Sequence, residues 1–373
     1  MNRRRLRIVL GFLAAILSAV VAADWAFPPP MNKLTALSSR VDDRDGRALH
    51  VFAVENGRTR QPIAAEALPA NYRRFLIAIE DRRFARHFGI DPLAVLRAAG
   101  QNIAAGRILS GASTLSMQTA RLLEPRPRTI SAKLIEAARA LQLEARMSKD
   151  EILSAYATLA PFGGPVEGVR SAAWAWFGRA PEGLTDGEAA LLVALPQSPE
   201  RLRPDRFPLQ ARAARNRVID RLERHGALDA AAAAAARAEP MPDRLRPPPR
   251  STPRLAERIA RTSPRGERRR ATIDRARQTE VARIIEAAAA RADPHAQAAA
   301  MLVEIADRRV RAYVGAVGPL GGARAPAGWA IDHVRALRSP GSALKPFIYA
   351  LAFEDGTLTP ESLIADRAED FDG

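Results

Sequence analysis

The sequence predicts a mainly α-helical domain, preceded by an N-terminal transmembrane helix and followed by the start of an α/β domain. Three observations lead there. A basic flank, "MNRRRLR", precedes the apolar run "IVLGFLAAILSAVVAA" at residues 8–23. From about residue 68 to 225, apolar residues recur at helical spacing between clear start and stop signals. Beyond a Pro- and Arg-rich stretch, the pattern becomes a helix and two alternating strands.

The N-terminal arrangement is positive-inside, so the remainder is expected outside the cytoplasm. The apolar run is shorter than the ~20 residues of a comfortable span, and Ala23 before Asp24 also suits a cleaved signal peptide. An uncleaved single-pass anchor in the inner membrane is preferred, with Trp25 and Phe27 at the interface. Residues 1–30 are therefore read as cytoplasmic tail and anchor.

"RVDDRDGRALHVFAV" reads as a hairpin around Asp45-Gly46. The helical domain, residues 31–225, follows. Gly89, with His87 in the preceding turn, reads as the stop of the first helix. Asp91 and Pro92 open the next as N-cap and first residue. "SKDE" (148–151) and "TDGE" (185–188) are capping boxes. Residues 226–270 read as a helix tail and linker. Residues 271–373 open a second domain, with "QTEVARIIEAAAARA" helical and "AMLVEIADRRVRAYVGAV" a pair of strands turning at Asp307.

The net charge of +16 comes almost wholly from arginine, since the chain has only four lysines. Aromatics make up 5%, without the basic-aromatic interleaving of a stacking platform, and export removes the chain from nucleic acid. The absence of cysteine removes disulfides and thiolate metal sites.

Candidate chemistry begins at "IEDRRFARHFGID", residues 79–91. Glu80 emerges at the edge of the apolar stripe formed by Leu76 and Ile79, where partial burial suits a carboxylate to proton transfer. The plainer alternative is a helix end with Glu80 and Asp81 paired to Arg83 or Arg86. In "SGASTLSMQTARLL", residues 110–123, a flexible turn enters a helix whose free N–H groups, with Ser113 and Thr114, suit phosphate oxygens. Both residues also serve as ordinary N-caps. Gln118 and Arg121 follow on later turns. In "RPRTISAKLIEAARALQLE", residues 126–144, Lys133 and Glu136 lie one turn apart.

These stretches, with "ILSAYATLAPFGGPVEGVRSAAWAWFGR" and "LTDGEAALLVALPQSP", resemble in order and spacing the five blocks of the peptidoglycan glycosyltransferase domain (glycosyltransferase family 51) of class A penicillin-binding proteins. "APFGG" and "RLRPDRFP" look most like the 1C subgroup of that class. The resemblance, over about residues 40–373, implies a lysozyme-like helical fold that polymerises lipid II onto a growing glycan strand. It makes Glu80 the catalytic base and Glu136 the second acidic residue, near the pyrophosphate. Ser113, Thr114, Gln118, Arg121, Arg128 and Lys133 fall in the stretches that line the donor site. Pyrophosphate chemistry admits a divalent cation, Mg or Mn, although no dedicated cage is legible. The membrane and other cell-wall synthesis proteins are the expected partners. Four positions depart from the family pattern: Ala112 for Gly, Met117 for Gln, Ala132 for Arg and Thr158 for Asn.

In the second domain, "RSPGSALKPF" puts Ser342 and Lys345 three apart, which on a helix brings an amine near a hydroxyl. With the surrounding match it resembles the acyl-serine of the penicillin-binding transpeptidase fold. No lysine follows Lys345, so no Lys-Thr-Gly motif follows it either, and no Ser-x-Asn occurs. Acylation by penicillin at Ser342 is therefore expected only with a complete domain. The alternatives to polymerisation are a glycan-cleaving lysozyme-like enzyme and a non-catalytic membrane-anchored scaffold.

Overall fold

Backbone punctuation in the sequence accounts for most element boundaries. The computed structural model describes residues 18, 22, 24–106, 112–127, 129–292, 297–317 and 330–364. Strands β1 (Arg40–Asp42) and β2 (Ala48–Val51) form the expected hairpin, antiparallel with Val41 opposite His50. Its turn closes because the Asp43 carboxylate accepts the N–H groups of Asp45 and Arg47. A two-residue strand β3 (Thr59–Arg60) pairs in parallel with β4 (Val166–Glu167).

The helical domain comprises α1 (Ala70–Glu80), α2 (Pro92–Ala105), α3 (Leu115–Leu123), α4 (Ile130–Arg146), α5 (Lys149–Leu159), α6 (Asp186–Ala194), α7 (Pro208–Arg224) and α8 (Ala230–Ala238). Apolar on every side, α6 is buried from Ala189 to Ala194, as a central helix must be. Around it pack α1, α7 and α8. Tyr72, Phe75 and Leu76 of α1 join Ile152 and Leu153 of α5 in one core, each burial contributing roughly 1.5–3 kcal/mol. Asp91 caps α2 by accepting from the N–H groups of Leu93 and Ala94, with Pro92 first in the helix. Both capping boxes form, Ser148 with Glu151 and Thr185 with Glu188.

One boundary differs. The first helix ends at Glu80, well before Gly89. The Asp81 carboxylate accepts the N–H of Leu115 (2.9 Å) and a hydrogen bond from His87 Nε2, and these pull the backbone out of the helix. His87 therefore lies beyond the last turn. Gly89, at φ +81°, sits so close to α4 that a Cβ would come within 2.9 Å of the Ala140 backbone.

Residues 226–270 hold more structure than a linker. Besides α8 they form α9 (Pro253–Arg261) and β5 (Arg268–Arg270). The latter runs parallel to β1 and completes a sheet of order β2-β1-β5. Charge drives the pairing. Buried Asp42 is held by Arg40 and Arg268, and buried Asp43 by Arg47 and Arg275. Further on, α10 (Arg275–Ala292) packs on the antiparallel pair β6 (Ala300–Val303) and β7 (Val310–Val314). Buried Gln278 joins them by bonding both backbone groups of Tyr313. Last comes α11 (Lys345–Glu354), which buries none of its residues.

Most of the apolar run expected to span the membrane lies outside the described residues, as does Arg128. Among the described residues, no helix is long and apolar enough to cross a membrane.

Candidate active site

Glu80 is the last residue of α1 and is half-buried. Neither Arg83 nor Arg86 pairs with it. Instead Oε2 accepts from Gln118 Nε2 of α3 at 2.9 Å, and Oε1 accepts from Gln197 Nε2 at 3.1 Å. Gln197 closes the 3₁₀ turn Leu195–Gln197 that follows α6. Three separate elements thus meet on one carboxylate.

The floor under Glu80 is dry. Tyr72 of α1 and Tyr156 of α5 are both buried, and burial, reinforced by the Glu80 charge, pushes both phenols up. The charge of Arg121 acts on Tyr156 in the opposite direction. Among the described residues, the Tyr72 hydroxyl has no hydrogen-bond partner.

A groove of about 390 Å³ opens beside Glu80, lined among others by Arg82, Arg83, Arg97, Ser113 and Arg221. Arg221 of α7 also donates to the Ile79 carbonyl at 2.9 Å, placing a cation at the C-terminus of α1. Four arginines thus share the walls with Asp81 and Asp91, while the Glu80 carboxylate at the edge is held by neutral amides.

The other candidates fall into distinct places. Half-buried Ser113 faces the groove. Buried Thr114 also borders it, but its hydroxyl is engaged twice, donating to Gly89 O at 2.6 Å and accepting from Met117 N–H at 3.1 Å. It is the N-cap of α3 and fastens that helix to the Gly89 loop. Arg121 is half-buried one turn beyond Gln118. On α4, Glu136 is buried within the stripe Ala132, Glu136, Ala140, Leu143, and α4 lies chiefly against α3. Lys133 is exposed, so the two residues divide between surface and interior, and no ion pair joins them among the described residues. Ser342 and Lys345 are exposed in the second domain, line no part of the groove and share no hydrogen bond.

Of the departing positions, Met117 is buried in the core face of α3. Thr158 is buried too, its Oγ1 accepting the Ile63 N–H. Among the described residues no group of three or more His, Asp or Glu side chains is arranged to hold a metal ion.

Sequence reasoning missed three contributors: Asp81 with His87, Gln197, and Arg221. Asp81 and His87 are six apart, a spacing that no helix brings together. Gln197 and Arg221 reach the site only through the tertiary fold.

The transglycosylase family profile matches residues 45–223. The chain is 39% identical over 351 residues to penicillin-binding protein 1C of Escherichia coli (strain K12), covering 93% of this chain and 44% of that protein. It is 35% identical over 225 residues to penicillin-binding protein 1A of Aquifex aeolicus (strain VF5), covering 59% of this chain and 31% of that one. The chain thus spans less than half the length of these relatives. A crystal structure of penicillin-binding protein 1A from Haemophilus influenzae aligns at a TM-score of 0.32 and 16% identity, over 68% of this chain and 29% of that one, too slight a likeness to bear on the fold. Residues 45–223 are thus a transglycosylase-family domain.

Proposed function

We propose that the chain is a peptidoglycan glycosyltransferase that polymerises lipid II in cell-wall synthesis. The observation that carries this reading is Glu80, on a groove and in no ion pair among the described residues, with both oxygens held by amides. A carboxylate so held is oriented without being neutralised, which a general base requires. In the proposed step, the acceptor sugar's 4-hydroxyl gives its proton to Glu80 while its oxygen bonds to the donor's anomeric carbon. The bond from that carbon to the lipid pyrophosphate breaks with inversion. Ser113, Gln118, Arg121, Arg128 and Lys133 would stabilise the departing charge, with Glu136 beside them. The test is polymerisation of lipid II by the purified chain and its loss in Glu80→Gln.

Exposed apolar side chains support a membrane setting. Leu93, Leu96 and Ile103 stand out from α2, and Ile130 and Leu134 from α4. Asp24 is bonded to Gln142 and Arg146 of α4, and the Phe27 carbonyl accepts from Arg139 and Gln142. The residues just after the apolar run are thereby fastened to α4. We read the exposed apolar face as resting on the bilayer's outer surface, where a lipid-linked substrate is presented.

Transpeptidation is not assigned to this chain. Acylation requires a desolvated amine beside the serine, and among the described residues Lys345 is exposed and makes no hydrogen bond to Ser342. A fluorescent penicillin should label it poorly.

A further inference from the structure

We propose that Gln197 is a positioning residue for Glu80, aiming the base at the acceptor hydroxyl; this rests on the glycosyltransferase reading above. The geometry is specific. Glu80 and Gln197 are 117 positions apart, yet Gln197 Nε2 donates to Oε1 at 3.1 Å while Gln118 Nε2 donates to Oε2 at 2.9 Å. Each oxygen keeps lone-pair capacity for a substrate proton, because each amide takes only one site. With a donor on each side, rotation of the carboxylate about its terminal torsion is restricted from both ends.

The arm that carries Gln197 is stiff. Leu195 is fully buried, Pro196 fixes the backbone, and Ser198 N–H closes the turn onto the Leu195 carbonyl at 3.2 Å. Ser198 O in turn accepts from Leu202 N–H at 3.0 Å. At the tip, the Gln197 side chain is exposed and fills no core position. Its contact with Glu80 is therefore of little use for packing and of direct use at the groove edge.

Side-chain chemistry agrees. In a chain of net charge +16, arginine is the abundant donor. An arginine fork on Glu80 would bind the carboxylate in a charge-assisted pair and compete with the incoming proton. An amide donates one neutral N–H and leaves the base available. Gln118 and Gln197 thus act as a matched pair, one from α3 and one from the turn after α6.

The experiment compares Gln197→Ala and Gln197→Glu in the full chain on lipid II, with Glu80→Gln and the double variant Glu80→Gln/Gln197→Ala alongside. Loss of one donor to a charged group should lower kcat ~10-fold with KM nearly unchanged. Gln197→Glu, of the same size but an acceptor of like charge, should be worse than Gln197→Ala, on the order of 100-fold. A space-filling role would give the reverse order. In the Glu80→Gln background, Gln197→Ala should add nothing, since its effect passes through Glu80. Glutamate milder than alanine, or full kcat in both variants while Glu80→Gln is inactive, overturns this inference alone. An active Glu80→Gln overturns the glycosyltransferase reading itself. Since the side chain is exposed, both variants are expected to fold, and matching melting curves would check it.

Discussion

His87 Nε2 lies 3.0 Å from both carboxylate oxygens of Asp81, and neither side chain reaches solvent. The same carboxylate accepts the Leu115 N–H. A single buried acid therefore decides where α1 ends, how the following loop turns and where α3 begins. Removing one partner leaves a buried polar group short of a hydrogen bond, which costs about 1–3 kcal/mol. His87→Ala and Asp81→Ala should each lower the urea midpoint correspondingly. Asp81→Asn should cost less, because its amide oxygen still accepts from Leu115. An unmoved midpoint in His87→Ala would show that the pair contributes nothing.

Glu80→Gln removes the base and keeps the shape. Polymerisation should slow ~100-fold or more, the usual scale for a lost general base. The melting temperature should stay close to that of the parent, since the core of α1 lies at Tyr72, Phe75 and Leu76.

Acid should weaken the fold through His50. Burial first, then the Arg250 charge, push its pKa down to about 4 from 6.5. Below pH 6.5 the unfolded imidazole takes a proton that the folded one refuses until about pH 4. The contribution of neutral His50 is thus intact above 6.5 and disappears as pH falls toward 4, amounting to ~3 kcal/mol. Urea midpoints across this window should fall less steeply in His50→Phe than in the parent. Equal slopes would remove His50 from the account.

Gly89→Ala should strain the site from behind. A Cβ at φ +81° would press on the Ala140 backbone, so either the loop or α4 must shift, at roughly 2 kcal/mol or more. Stability and polymerisation should fall together, whereas Glu80→Gln lowers polymerisation alone.

The outer apolar face predicts a contrast between substrates in detergent and in vesicles. Leu96→Asp and Leu134→Asp alter exposed positions, so folding should be unaffected. Activity on lipid II in vesicles should drop several-fold while activity in detergent is retained, because a charge resists burial at a bilayer. Equal losses in both would argue against membrane contact.

The local grammar of the helical domain was legible in the chain. Asp91-Pro92, Ser148 with Glu151, Thr185 with Glu188 and the hairpin at Asp45-Gly46 all act through neighbours in sequence, and all form as expected. Its place at an apolar edge, which the helix period sets, made Glu80 a candidate, and the family resemblance made it the base. What holds Glu80 was not legible, since Gln197 arrives from a distant turn and an amide there carries no periodic signal. The end of α1 was misplaced for the same reason: Asp81 is claimed by Leu115 and His87, contacts that outrank the glycine stop. Arg268 to Arg270 read as linker because an all-arginine run resembles no strand. It becomes one only because Asp42 lies buried and waiting on β1.

That strand alters what counts as a separable unit. The family match runs over residues 45–223, yet β1 borrows its outer neighbour from residues 268–270. A protein trimmed to the matched helices would bare one flank of the hairpin and strip Asp42 of a guanidinium. Such a trimmed piece should be stickier and less robust than the longer chain. A cut that keeps the hairpin whole has to carry the arginine strand with it.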